Sequence, residues 1–129
     1  MTGQKRGEFL KDKAERFFKN ALELFQRKEY DLSAFNLEQS VQLFLKYALW
    51  KKLGDFEKTH EISELLEDFK EVSAQKSKIA EFISNHQEVI ADLEITYIES
   101  RYLPAQFFEK QVERMIDFVQ QLKTVIDQE

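Results

Sequence analysis

The chain has 129 residues and a mass of 15.4 kDa, 43% hydrophobic and 33% charged; residues 1–129 read as one domain with its core over about 8–127, since a chain this short rarely closes two cores. Three glycines and one proline are too few breaks for a many-turned β fold, so the expected class is all-α, an antiparallel up-and-down bundle of four to five helices. The absence of cysteine excludes a disulfide framework, a thiolate nucleophile and cysteine-ligated zinc.

Charge narrows the partners. The net value is −5, with eight Lys/Arg against five Asp/Glu in residues 1–30 and eleven against nineteen in the remainder. Such a chain lacks the broad basic face that grips duplex DNA by phosphate neutralisation, although a local anion site is compatible with it. No apolar run approaches the roughly 20 residues of a membrane helix. The start, "MTGQKRGEFLKDK", has no apolar signal core. A soluble, cytoplasmic protein away from membranes is the expectation.

In chain order, Phe9, Ala14, Phe17, Ala21, Leu24 and Phe25 recur at helical steps and predict a first amphipathic helix over about residues 8–27. Its charged residues, "KRGEFLKDKAERFFK", read as a solvated face. After the short connection "RKEYD", Asp31 is placed to cap a second helix that Gly54 ends. That helix is apolar on more than one stripe and is interrupted by the uncharged Asn36, Gln39 and Gln42. It belongs in the centre of a bundle or against a second subunit. Ile62, Leu65, Leu66, Phe69 and Val72 mark a third helix from near residue 60. Asn85 with Glu88 has capping-box spacing, which predicts a break at "SNH" and a fourth helix over about 86–99 with Ile90, Leu93 and Tyr97 inward. Pro104 should stop that helix, and Phe108, Val112, Met115, Phe118, Val119, Leu122 and Ile126 mark a fifth over about 106–127. Short connections make consecutive helices antiparallel neighbours.

Most catalytic readings fail on the residues present. Three scattered glycines build neither a P-loop nor a dinucleotide fingerprint. Glu57 and His60 form one Glu-x-x-His pair, but the second pair of a di-iron bundle is missing because Ile83 stands three before His86. No metal or cofactor is therefore expected. His86 reads as a partly exposed residue at a helix start. No serine is marked as a nucleophile with a base beside it. Arg101 remains, in "YIESRYLP", between Tyr97 and Tyr102. Its guanidinium suits phosphate or carboxylate, and the tyrosines offer hydroxyls and flat faces. Tyr97 and Arg101, four apart, share a helix face. The competing reading is a structural corner in which Arg101 binds the free carbonyls of a helix end.

Three segments in this order resemble the HEPN (higher eukaryotes and prokaryotes nucleotide-binding) domain family over nearly the whole chain. They are "AFNLEQSVQLFLKYAL" with Gln39, Ser40 and Lys46, "HEISELLEDF" from His60, and "LEITYIESRYLP" with its tyrosine-x-x-x-arginine-tyrosine turn before proline. The resemblance implies a helical bundle, commonly a homodimer, often encoded beside a small nucleotidyltransferase partner. It also implies a nucleotide or anion site at Tyr97, Arg101, Tyr102 and His60. The family includes RNA-cleaving toxins that use an arginine followed after four to six residues by histidine. Here those places hold Gln106, Phe107 and Phe108, none of which moves a proton. The expected activity is therefore binding of a nucleotide or of a nucleotidyltransferase, without strong catalysis. The alternatives are a metal-independent ribonuclease toxin, with His60 in the missing role if the fold brings it near, and a purely structural dimerisation module.

Overall fold

In the computed structural model of the chain, the backbone is described for residues 3–56, 58–102 and 106–129, and side chains for these residues apart from 3–6 and 99–102. Among the described residues the chain forms six helices and no strand: α1 (Gly3–Gln26), α2 (Tyr30–Leu53), α3 (Ile62–Val72), α4 (Lys76–Asn85), α5 (Gln87–Tyr102) and α6 (Glu109–Asp127). The all-α bundle is as the composition requires. No described helix is long and apolar enough to cross a membrane.

α2 is the centre of the bundle and packs against α1, α3, α5 and α6. Its wide apolar surface is thus consumed within the chain, with Leu37, Val41, Phe44, Leu45 and Leu49 buried. α1 and α2 form an antiparallel pair joined by a seam of small residues. Ser33 Oγ donates to the Ala21 carbonyl (2.8 Å) and Ser40 Oγ to the Ala14 carbonyl (2.9 Å). At the far end a Cβ on Gly7 would lie 2.0 Å from the Trp50 ring, so that approach requires glycine. Ala14, Ala21 and Leu24 are buried as expected, but the seam turns α1 so that two core positions fall one residue beyond the expected phenylalanines. Leu10 and Phe18 are buried, whereas Phe9 is 49% exposed and Phe17 half-buried.

The α1–α2 turn also departs from the expected cap. Lys28 has φ 61°, its N–H bonds the Phe25 carbonyl at 2.9 Å, and the Glu29 N–H bonds the Leu24 carbonyl at 3.0 Å. These are the two bonds of a Schellman turn, with lysine where glycine is usual. The turn delivers the chain so that Glu29 is the N-cap of α2, without a side-chain cap bond, and Asp31 falls inside the first turn. Gly54 ends α2 as expected, at φ 75° with its N–H on the Trp50 carbonyl (2.7 Å).

Residues 54–56 and 58–61 then lie back along α2. The Lys46 ammonium lies 5.8 Å from the centre of the Phe56 ring, and His60 reaches Gln42. α3 next progresses in the same sense as the second half of α2, since Ser73 and Lys52 both bind Glu129 at the chain end. The helical stretch after residue 60 is two helices, because the Ser73 hydroxyl accepts from the Gln75 N–H (2.9 Å) and opens a turn before α4. The break at "SNH" is confined to His86, with Asn85 still inside α4. His86 Nδ1 sits 2.6 Å from the Phe82 carbonyl, and its backbone N–H bonds Ile83 instead, which ends α4.

Of the residues expected inward on α5, Ile90 and Leu93 are buried and Tyr97 half-buried. Pro104 lies outside the described residues. At the start of α6 the core residue is Phe107; Phe108 is the N-cap and 67% exposed, its N–H held by Gln111 Oε1 at 3.3 Å. From Val112 onward the α6 stripe is buried at the expected positions.

Candidate functional site

The doubled-back segment carries His60 onto α5. The His60 and Tyr97 rings stack with centroids 5.6 Å apart and planes 16° from parallel, although the residues are far apart in sequence. His60 is the outer ring, exposed to solvent, and Tyr97 the half-buried inner one. One face of Tyr97, expected to be open for a ligand base, is thus covered by the imidazole, and the open face of the pair is that of His60. Arg101 and Tyr102 stand in the last turn of α5, Arg101 one turn beyond Tyr97. Their side chains lie outside the described residues, as does Glu57 of the Glu-x-x-His pair. Among the described residues no three His, Asp or Glu side chains converge as a metal site.

Beneath the stacked pair runs a row of buried polar side chains on α2. Glu38, Gln42 and Lys46 recur at four-residue steps and so lie along one face of the helix. The Glu38 carboxylate is fully buried and is held by two amides, Gln39 Nε2 on Oε1 at 2.8 Å and Gln42 Nε2 on Oε2. Gln42 turns its other end to the loop, where Oε1 is 3.0 Å from His60 Nδ1. Burial pushes the Lys46 ammonium below the ordinary lysine range, and the Glu38 carboxylate acts in the opposite direction. A buried carboxylate left without donors is costly, so the two glutamines are what make Glu38 tolerable inside the bundle.

Glu38 and Gln42 were not marked as site residues by the sequence. The readable sign of them is the row 38, 42, 46 within an otherwise apolar helix. Of the residues singled out as part of the resemblance, Lys46 belongs to this row and Gln39 donates to Glu38 from the next position; Ser40 serves the α1 seam instead. Asn36, the remaining polar interruption, accepts from Asn20 at 3.0 Å and donates to the Leu32 carbonyl at 2.8 Å, which is packing of α1 on α2.

A second fixed point ties the site together. Glu94 of α5 accepts from the Ser63 N–H at 2.5 Å, so a carboxylate on the tyrosine helix satisfies a free donor in the first turn of α3. The segment bearing His60 is thereby clamped between α2 and α5.

The other histidine has a structural position. His86 packs on the Phe82 and Phe118 rings at 4.4 and 5.4 Å, with Nδ1 on the Phe82 carbonyl and Nε2 3.1 Å from Gln121 Oε1. It borders a cleft of about 240 Å³ with Arg114, Asp117 and Gln121, but both of its nitrogens are engaged within the chain.

Among known proteins, neither a curated protein nor a solved structure matches the chain. The model of the HEPN domain, in contrast, matches residues 8–128 and so spans α2, the doubled-back segment and the α5 corner alike. By that match the chain belongs to the HEPN domain family.

Proposed function

We propose that this HEPN domain binds a nucleotide at the corner formed by residues 58–61 and the end of α5. Arg101 engages the phosphate through its planar donor fork, and the outward face of the His60–Tyr97 pair supports the base. Tyr102 contributes a further hydroxyl beside Arg101. The observation that carries the reading is the stacking of His60 on Tyr97, one turn before Arg101. It explains why an imidazole is held at the protein surface by a buried carboxylate and amide. Partners in this reading are a second copy of the chain and a small nucleotidyltransferase, both following from the family.

Titration calorimetry with adenosine monophosphate tests it. Arg101→Ala should abolish binding and leave the melting temperature within about 2 °C of wild type, because in this reading the arginine serves the ligand and not the packing of the bundle. No binding by wild type, together with a collapse of stability in the variant, would show that Arg101 is a helix cap.

One observation favours a second reading, RNA cleavage. His60 supplies near the arginine helix the titratable group that Gln106, Phe107 and Phe108 do not. Purified protein with RNA in EDTA should then give products that vanish in both Arg101→Ala and His60→Ala. RNA left intact at high protein concentration removes this reading.

A further inference from the structure

The buried row on α2 decides which nitrogen of His60 faces a ligand. A carboxylate at Glu38 only accepts, so the end of Gln42 that meets it is the NH₂ group. The carbonyl end of Gln42 then faces His60, and the ring nitrogen 3.0 Å from it must carry the proton. That nitrogen is Nδ1, which leaves Nε2 with a lone pair. No described residue hydrogen-bonds Nε2, and the ring is exposed.

We propose that Glu38 and Gln42 are positioning residues that hold His60 in its Nδ1–H form, so that Nε2 accepts a hydrogen bond from a sugar hydroxyl and selects ribonucleotides over deoxyribonucleotides. The inference rests on the nucleotide-binding reading and adds to it the chemical class of the ligand. A bare phosphate oxygen and an Nε2 lone pair are both acceptors and repel, whereas a ribose hydroxyl is a donor that a nucleotide brings beside its phosphate. A histidine free to exchange its proton between the two nitrogens would present a donor part of the time and discriminate less. Tying Gln42 to a fully buried carboxylate removes that freedom, because turning the amide over would set its carbonyl oxygen against Glu38.

Nitrogen-15 spectra of the whole chain at about pH 7.5, above the usual histidine range, read the tautomer directly. Wild-type His60 should show hydrogen on Nδ1 and a bare Nε2. Gln42→Met, and Glu38→Gln, which keeps the buried volume and lets Gln42 turn either way, should both give a mixture of forms. Circular dichroism checks that each variant is folded. In calorimetry, wild type should bind adenosine monophosphate about tenfold tighter than its 2′-deoxy counterpart, the worth of one good hydrogen bond. Both variants should lose this preference and still bind. Hydrogen on Nε2 in wild type, or a tautomer unchanged in both folded variants, overturns the positioning role. Equal affinity of wild type for the ribo and 2′-deoxy forms, or tighter binding of inorganic phosphate than of the nucleotide, overturns the hydroxyl assignment. If wild type binds no nucleotide while His60 is held in the Nδ1–H form, the nucleotide reading fails and takes the hydroxyl with it, and the positioning role stands on the spectra.

Discussion

Single residues in this chain carry strain that local sequence does not announce. Lys28 adopts φ 61° in the Schellman turn, a conformation that costs a residue with a Cβ about 1–2 kcal/mol. Lys28→Gly should therefore raise stability by about 1 kcal/mol in urea unfolding at unchanged slope, the greater freedom of glycine in the unfolded chain offsetting part of the gain. Asp68 is a second case. Its Oδ2 is buried without a hydrogen-bond partner among the described residues, and burial, followed by the nearby Glu64 and Glu67 carboxylates, raises its pKa above the ordinary aspartate value. A carboxyl whose folded pKa is raised contributes stability below its unfolded pKa and loses it as pH rises through the folded one. Asp68→Asn should melt above wild type at neutral pH, with the difference closing as pH falls toward about 4. An unchanged gap across that range would show that Asp68 is not the group responsible.

At the scale of elements, the site depends on helices holding one another. α3 has Glu61 at its N-cap without a side-chain cap bond, and the donor at Ser63 is satisfied by Glu94 from α5. Glu94→Ala should cost about 1 kcal/mol, as loss of a cap does. Because His60 lies just before α3, the same change should raise amide exchange at residues 60–64 and weaken nucleotide binding through the loosened segment. Exchange and affinity both equal to wild type would show that the clamp is dispensable. α2 shows how far such roles are legible. Its central place followed from an apolar surface too wide for one stripe. That Glu38 and Gln42 form a support for His60 was not legible, because the partner is delivered by a connection that doubles back, and spacing along α2 carries no record of that path.

For the whole molecule, most of the apolar surface of α2 is used inside the bundle, with Leu32 and Leu53 near its two ends left exposed, so the helix by itself argues little for a second subunit. A pair of exposed apolar side chains stands on the outer side of α5, where Ile95 and Ile98 are 48% and 58% exposed beside the proposed site. Light scattering at micromolar concentration should give about twice the mass of the 15.4 kDa chain, and Ile98→Glu should return it to one. A monomeric wild type would sink the homodimer. The sequence by itself determined the all-α class, most helix positions, the end of α2 at Gly54 and the family, because each rests on periodicity, punctuation or ordered motifs within short stretches of chain. Tertiary structure decided which large apolar side chains of α1 enter the core, Leu10 and Phe18 instead of Phe9 and Phe17 about the Ala–Ser seam, and the split between α3 and α4. It also decided the meeting of His60 with Tyr97. The seam and the His60–Tyr97 stack depend on contacts between segments far apart in the chain, whose energy enters only when the bundle closes; the α3–α4 split turns on Ser73, whose hydroxyl takes the Gln75 N–H beside it while donating to Glu129 across the bundle.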